Sequence, residues 1–308
     1  MPFLSIHFVM ILGSLGLAWG LRYGCERLAK FQATGSTWQN RWQTALICFV
    51  VPPLLVIITA IAVLCMGTQG RMIGLPVGKF SYAAALMFLI YSAVRSIQFA
   101  IDGWRSLQKL QNLVIEVKEI CLDPSQKPKE TLRLLDIPML FAAQIGFWRS
   151  QLLVSTGLLA RLDQQHLQAV LLHEQAHAHY HDTFWFFWLG CLRQVMPWLT
   201  NTQVLWQELL LLRELRADRW AVQYADSLLV AESLLAMVSN NMQLTETFKE
   251  NFTETFAAAF GATDAGDRLE ERIEFLLAAP EPLPKFAWRS LLWMGLSLLP
   301  LALLPLHY

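Results

Sequence analysis

The 308-residue sequence has few charged residues for its length. Only 16% of its residues are Asp, Glu, Lys or Arg, while 55% are hydrophobic, and the mean hydropathy is +0.39. A soluble domain usually carries about 25% charged residues, so the deficit predicts a membrane protein. The formal net charge is zero. The chain therefore lacks the basic excess that marks a protein binding nucleic acid directly.

Paired cysteine motifs are also lacking. The five cysteines are scattered along the chain without a Cys-x-x-Cys pair. The sequence therefore predicts neither a disulfide framework nor a cysteine metal site. Cys48 and Cys65 lie in apolar runs, where a thiol serves as a small apolar side chain.

Long apolar runs predict four membrane spans, over residues 2–21, 43–70, 80–101 and 290–308. The first lacks the basic region of a cleaved signal peptide, so we expect a retained anchor. Pro52 and Pro53 are expected to kink or end the second helix. Arg95 interrupts the third run, but its long side chain can reach the membrane interface.

Basic residues predict the orientation of these spans. Lys and Arg cluster after the first and third spans, whereas the N-terminal tip has none. We therefore expect both termini outside and the long segment between spans three and four in the cytosol. This gives a membrane domain of three helices over 1–104, a cytosolic domain over 105–285 and a fourth membrane helix over 286–308.

The cytosolic segment has the pattern of an α+β domain. Two β-rich runs flank residues 149–150 and predict a hairpin over 141–156. Asp163 is a suitable N-cap for a helix that runs to about residue 180. Further helices are expected from residue 201 or 202 onward, and over 227–242 and 267–279.

The run "LLHEQAHAHY" at 171–180 contains the pattern H-E-x-x-H. On a helix, His173 and His177 lie one turn apart on the same face, so both imidazoles can bind one Zn²⁺. Zinc lowers the pKa of a bound water toward about 7, and Glu174 can then take its proton. The alternative is a chance match in a helix that binds no metal.

A catalytic zinc needs a third protein ligand, and the run "RELRADRW" at 213–220 offers one. Glu214 can bind the metal, and Asp218, one turn further, can accept a hydrogen bond from a ligand histidine. The alternative is a solvated helix face on which the neighbouring arginines pair with these acids. The H-E-x-x-H one helix earlier favours the metal site.

Sharing one metal would also keep these residues on one side of the membrane. The aromatic stretch 183–200 then cannot cross it once, and it also contains Arg193 and Pro197. We leave it as a re-entrant, interfacial or buried segment. His181, one turn beyond His177, is a weaker candidate for the site.

The hairpin has its own candidate role. Metallopeptidases commonly hold the substrate as an extra strand on a sheet edge. The residues predicted to do so are Gln151, Leu152, Leu153, Val154 and Ser155. The alternative is a core hairpin without contact to substrate.

Four patterns together resemble those of the antirepressor-type integral-membrane zinc metallopeptidases. They are "STGLL" at 155–159, H-E-x-x-H, the later E-x-x-x-D and "LEERIEFLL" at 269–277. This bacterial family includes the β-lactam sensor-transducers and the methicillin-resistance antirepressor. The resemblance covers about residues 140–280. It implies a gluzincin-like domain with one Zn²⁺ per chain, on the cytosolic side of a bacterial cytoplasmic membrane.

The resemblance also implies roles for individual residues. His173, His177 and Glu214 would be the ligands and Glu174 the catalytic base, supported by Asp182 and Asp218. The substrate would be the chain itself or a cytosolic transcriptional repressor, cleaved after an outside signal. The chain ends at Tyr308 without the extracellular penicillin-binding domain of the sensors, so β-lactam sensing is not expected.

Two further functions are carried as alternatives. The membrane peptidases of the heat-shock and CAAX-processing type share H-E-x-x-H and a later E-x-x-x-D, and would act in protein quality control. A non-catalytic membrane transducer would bind metal for structure alone. Under the enzyme reading the partners are a protein or peptide substrate and the lipid bilayer, without nucleic acid.

Overall fold

A computed structural model describes residues 6–32, 37–68, 71–72, 75–76, 78–120, 130–148, 150–242, 268–278, 295 and 297–306. The chain divides into two compact units. The helical unit comprises residues 1–98, 189–209 and 281–308, and the sheet unit comprises residues 99–188 and 210–280. Residues 189–209, which the sequence-based division gives to the cytosolic domain, thus belong to the helical unit.

Three long helices begin the chain: α1 (Ile6–Gln32), α2 (Trp38–Met66) and α3 (Lys79–Gln111). Each contains a stretch long and apolar enough to cross a membrane. Most of the apolar stretch of α2 is buried, whereas those of α1 and α3 are largely exposed, as expected of helices that face lipid. The first three predicted spans therefore coincide with helices that could cross a membrane.

The fourth predicted span, 290–308, lies partly outside the described residues. Its described part contains a short 3₁₀-helix, Leu299–Leu306. Between α2 and α3, the two-residue strands β1 (Arg71–Met72) and β2 (Leu75–Pro76) pair antiparallel. The described residues thus give three candidate spans rather than the four expected.

The two prolines of α2 lie inside a continuous helix and do not end it. Pro53 has no N–H, so the carbonyl group of Phe49, four residues earlier, loses its helical donor. The guanidinium of Arg22, which is 1% exposed, donates to that carbonyl oxygen over 3.4 Å and to the carbonyl oxygen of Thr200 over 3.4 Å. The arginine thus satisfies a backbone group that the proline leaves open.

A disulfide joins Cys25 of α1 to Cys48 of α2, with 6.1 Å between the two Cα atoms. This corrects the expectation of no disulfide and of Cys48 as a plain apolar side chain. The two cysteines are 23 residues apart and meet because α1 packs along α2. Sequence spacing does not show that packing.

The sheet unit contains a four-stranded sheet with the order β3-β4-β6-β5. Its strands are β3 (Val114–Ile120), β4 (Glu130–Leu135), β5 (Ala142–Ile145) and β6 (Gln151–Ser155). Strands β5 and β6 form the predicted antiparallel hairpin, and β6 also pairs in parallel with β4. β6 is therefore a central strand, while β5 forms one edge of the sheet.

Six helices complete the described chain: α4 (Thr156–Arg161), α5 (Gln164–His179), α6 (Asp182–Val195), α7 (Thr202–Ala221), α8 (Ser227–Met242) and α9 (Leu269–Leu277). As predicted, α5 begins after Asp163, whose carboxylate accepts the N–H groups of Gln165 and His166 over 3.0 and 2.9 Å. Helix α6 has 14 residues, or about 21 Å at 1.5 Å per residue. It is too short to cross a bilayer.

Helix α5 is packed from two sides. Val170 and Leu171 join the core formed with Leu152 and Val154 of the sheet. Ala169 joins a second core with Val230 of α8 and residues of α7 and α9. These contacts fix the helix that carries H-E-x-x-H.

Candidate active site

Helices α5 and α7 bring three side chains together. The Nε2 atoms of His173 and His177 lie 3.2 Å apart. Glu214 places one carboxylate oxygen 3.3 Å from Nε2 of His173 and the other 3.7 Å from Nε2 of His177. Among the residues that the structure describes, this is the group able to hold a metal ion.

The other ring nitrogen of each histidine is bonded to a buried acid. Nδ1 of His173 lies 2.8 Å from Asp218, and Nδ1 of His177 lies 2.8 Å from Asp182. Asp218 is 0% exposed and Asp182 is 3% exposed. Because a neutral imidazole has one N–H, these bonds place the proton on Nδ1 and leave a lone pair on Nε2.

The geometry fits a tetrahedral zinc ion. Zinc binds histidine nitrogen and carboxylate oxygen at about 2.0–2.1 Å, so the ligand atoms of a tetrahedron lie about 3.3–3.4 Å from one another. The two imidazole Nε2 atoms lie 3.2 Å apart, and one carboxylate oxygen of Glu214 lies 3.3 Å from Nε2 of His173. The other oxygen lies 3.7 Å from Nε2 of His177. Two lone pairs and a carboxylate that converge at this spacing form a site for a cation.

Arginines surround the acids of the site. Arg272 of α9 binds Asp218 through two hydrogen bonds of 2.8 Å, and Arg216 binds Asp182. Arg213 lies 2.7 Å from Glu214. The predicted alternative of arginine partners is thus partly correct. These pairs do not lie on a solvated face, however, because the Asp218 side chain is 1% exposed and that of Glu214 is 17% exposed.

The net charge of the cluster is compatible with a bound divalent cation. With neutral imidazoles, the site has three positive guanidinium groups and four carboxylates, so 3 − 4 gives −1, and a divalent cation changes the sum to +1. The four acids are Glu174, Asp182, Glu214 and Asp218, and the three bases are Arg213, Arg216 and Arg272.

The sequence that contains this site matches a known protein family. Residues 108–276, more than half of the chain, match the model of peptidase family M48. The chain belongs to peptidase family M48. The match includes all three ligand candidates and supports the predicted zinc metallopeptidase class, without identifying the antirepressor-type subgroup. No curated protein is significantly similar to the chain.

Electrostatics in the M48 domain favour positive charge at the histidines. Burial lowers the pKa of His173, but Asp218 and Glu214 outweigh it and raise the pKa to about 10. The pKa of His177 is also raised, because Glu214 and Asp182 outweigh burial. Burial raises the pKa of Glu214, but Arg213 and His177 hold it well below the usual range. A bound metal would replace the protons of the imidazoles.

Glu174 follows His173 on α5 and is 9% exposed. Within the described part of the chain, its carboxylate forms none of the ion pairs of the M48 site. Burial lowers the pKa of Arg272, whereas Asp218 and Glu214 raise it. Glu174 raises it further, so its carboxylate lies within electrostatic reach of the same cluster.

His181 does not join the site. It lies in the turn between α5 and α6 with φ of +53°, and its carbonyl oxygen accepts the N–H groups of Phe184 and Trp185 over 3.1 Å each. Its side chain is exposed, and it lies outside the metal-binding group. His181 thus shapes the connection between the two helices.

The sheet of the M48 domain corrects the predicted substrate strand. Strand β6 is paired on both sides from Leu152 to Val154, with Leu152 opposite Leu132 on one side and Gln144 on the other, and its two end residues are each paired on one side. Residues 151–155 therefore offer no edge to a substrate. Among the described strands, β5 is the edge strand that neighbours α5, because β6 pairs with β4 on its other side.

Proposed function

We propose that the protein is a membrane-associated zinc endopeptidase that hydrolyses peptide bonds of a protein substrate. The observation that carries this proposal is the convergence of His173, His177 and Glu214 on one point, with each imidazole held by a buried acid. When bound, zinc supplies Lewis acidity, which lowers the pKa of a water and polarises a carbonyl group.

The side chains of the site have distinct roles in this reaction. Glu174 takes a proton from the attacking water and passes it to the leaving amine. Asp182 and Asp218 orient the two imidazoles and fix their tautomers. Their own arginine partners hold these acids in place.

We further propose that β5 binds the substrate as an added strand. Strand β5 (Ala142–Ile145) is an edge strand of the sheet, and one of its two sides pairs with β6. Free N–H and C=O groups of an edge strand bind an extended peptide through main-chain hydrogen bonds. This mode recognises an unfolded segment with little dependence on its side chains.

The role favoured by the sequence resemblance is regulated signalling, through cleavage of the chain itself or of a cytosolic transcriptional repressor. Protein quality control of the heat-shock and CAAX-processing type is the rival role, because those enzymes share the two motifs. Comparing cleaved proteins in cells that contain wild type or Glu174→Gln separates the roles. One or two cleaved regulators support signalling, and many damaged membrane proteins support quality control.

The proposed orientation places the peptidase in the cytosol, as the basic residues after the first and third spans indicate. The disulfide between Cys25 and Cys48 opposes this orientation, because disulfides persist mainly in oxidising compartments. Both cysteines lie on the same side of the membrane as the peptidase by span counting. Thiol labelling of Cys25 and Cys48 in intact and lysed cells tests this orientation. If both thiols are free and are labelled only after lysis, the cytosolic orientation is supported. If a disulfide keeps both unlabelled, that orientation is overturned.

The enzyme proposal is tested with Glu174→Gln. We expect the purified variant to keep one zinc per chain and to lose cleavage of itself and of fluorescein-labelled casein, by about 10²–10⁴-fold for loss of a general base. Glu232→Gln, an exposed change on α8, is the matched control and should cleave like wild type. Undiminished cleavage by Glu174→Gln would refute the role of this residue. If signalling and zinc binding persist while wild type never cleaves a protein, the non-catalytic transducer is correct.

A further inference from the structure

Helix α6 exposes large aromatic side chains on its outward face, unlike a helix on a soluble protein. Its inward face carries Asp182, 3% exposed, and Phe186, 6% exposed beneath the guanidinium of Arg213 at 4.9 Å. Its outward face carries Trp185 and Trp188, which are 59% and 51% exposed. A helix that faces water normally carries polar or charged side chains on its outward face.

The turn between β5 and β6 extends this apolar surface. Phe147 packs against Phe184 with 4.9 Å between ring centroids, and Trp148 packs against the same ring at 5.3 Å. Trp148 is nevertheless 80% exposed. We call this surface the aromatic patch, and it consists of Phe147, Trp148, Phe184, Trp185, Phe187 and Trp188.

The aromatic patch adjoins a candidate membrane span. The ring of Phe187 lies 5.7 Å from that of Phe99 on α3. Phe99 stands near the end of the apolar run of α3, which stops at Asp102. Just beyond this charge, Trp104 is 59% exposed. The patch therefore contacts α3 near the end of its apolar run.

We propose that the aromatic patch docks the sheet unit onto the lipid headgroup region of the membrane that α3 crosses. Tryptophan is enriched at this level because its ring is apolar while its N–H forms hydrogen bonds. Helix α6 is too short to span the bilayer, and a short helix with an aromatic face lies in the plane of the interface.

Lipid fits the patch better than a protein partner does. The part of α3 that contacts the patch also exposes apolar side chains, with Ile101 40% and Trp104 59% exposed. Lipid around this part of α3 would reach the patch through the contact of Phe99 with Phe187. The patch itself contains no charged side chain that would select a particular protein surface.

The test measures the depth of nitroxide labels in the full-length protein. Single cysteines are placed at Trp148 and Trp185, with the cysteines other than Cys25 and Cys48 replaced by serine. The protein is reconstituted in vesicles of phosphatidylethanolamine and phosphatidylglycerol. Collisions of each label with oxygen, which concentrates in lipid, and with Ni-EDDA, which stays in water, report its depth.

Two exposed positions serve as controls. Met87, 71% exposed on α3, should read as lipid, and Tyr224, 56% exposed beside polar residues of α5 and α8, should read as water. We expect labels at 148 and 185 to show an oxygen-to-nickel collision ratio between the two controls. Ratios equal to that at 224 would place the patch in water, and few collisions with either reagent would show a protein cover. Both results would overturn the proposal, and neither depends on peptidase activity.

Discussion

Replacing Asp218 by Asn tests whether the acids behind the histidines tune the metal site. Asn keeps the shape of the side chain and an oxygen that can accept from His173 and Arg272, but removes a buried negative charge 2.8 Å from Nδ1 of His173. That charge interacts with a proton on the imidazole as a single charge and with a zinc ion as a double charge. Its loss therefore weakens zinc binding more than it weakens protonation.

The expected size of the effect follows from the position of Asp218. Removing the carboxylate partner of a ligand histidine typically lowers metal affinity about 10–100-fold, or about 1.4–2.7 kcal/mol of binding free energy. Competition with a chromophoric chelator at fixed pH measures the zinc Kd. Asp163→Asn is the matched control, because it changes an exposed N-cap acid of α5, the helix that carries His173, to an equally good cap. An unchanged Kd for Asp218→Asn would refute the reasoning.

Two further predictions concern packing and pH. A Cβ atom on Gly157 would lie 2.3 Å from the carbonyl oxygen of Pro138, so Gly157→Ala should lower the unfolding free energy by about 1–3 kcal/mol. Gly103→Ala is the control, because its Cβ would meet open space, and it should not lower the unfolding free energy. Denaturant unfolding of both variants measures the difference. Burial lowers the pKa of His173, but neighbouring carboxylates raise it to about 10, so zinc must displace a proton at neutral pH. Zinc affinity should therefore rise with pH between about 7 and 10, by about tenfold per pH unit for one proton, and a flat chelator titration across this range would contradict it.

Local patterns in the sequence were informative wherever structure depends on near neighbours. The N-cap at Asp163, the bounds of α8 and the first three spans follow from periodicity, capping and hydropathy. His173 and His177 lie at i and i+4 on α5, so their spacing predicted that they could meet. Glu214 lies two helices further, on α7, and was predicted from its motif.

Features set by long-range packing were missed. Arg272 binds Asp218, which is 54 residues away in the sequence. The motif "LEERIEFLL" contains Arg272 but does not predict this contact. The central place of β6 depends on its parallel pairing with β4 across the sheet, and a hairpin pattern does not predict this. The disulfide likewise depends on how α1 packs against α2.

Zinc content of Glu214→Ala tests the central claim most directly. Glu214 supplies the only proposed ligand outside α5, so its loss leaves two histidines and an incomplete tetrahedron. Metal analysis of the purified full-length protein should give one zinc per chain for wild type and for the control Glu232→Ala. The account predicts a sharp fall for Glu214→Ala, whereas full occupancy in that variant would contradict the metal site described.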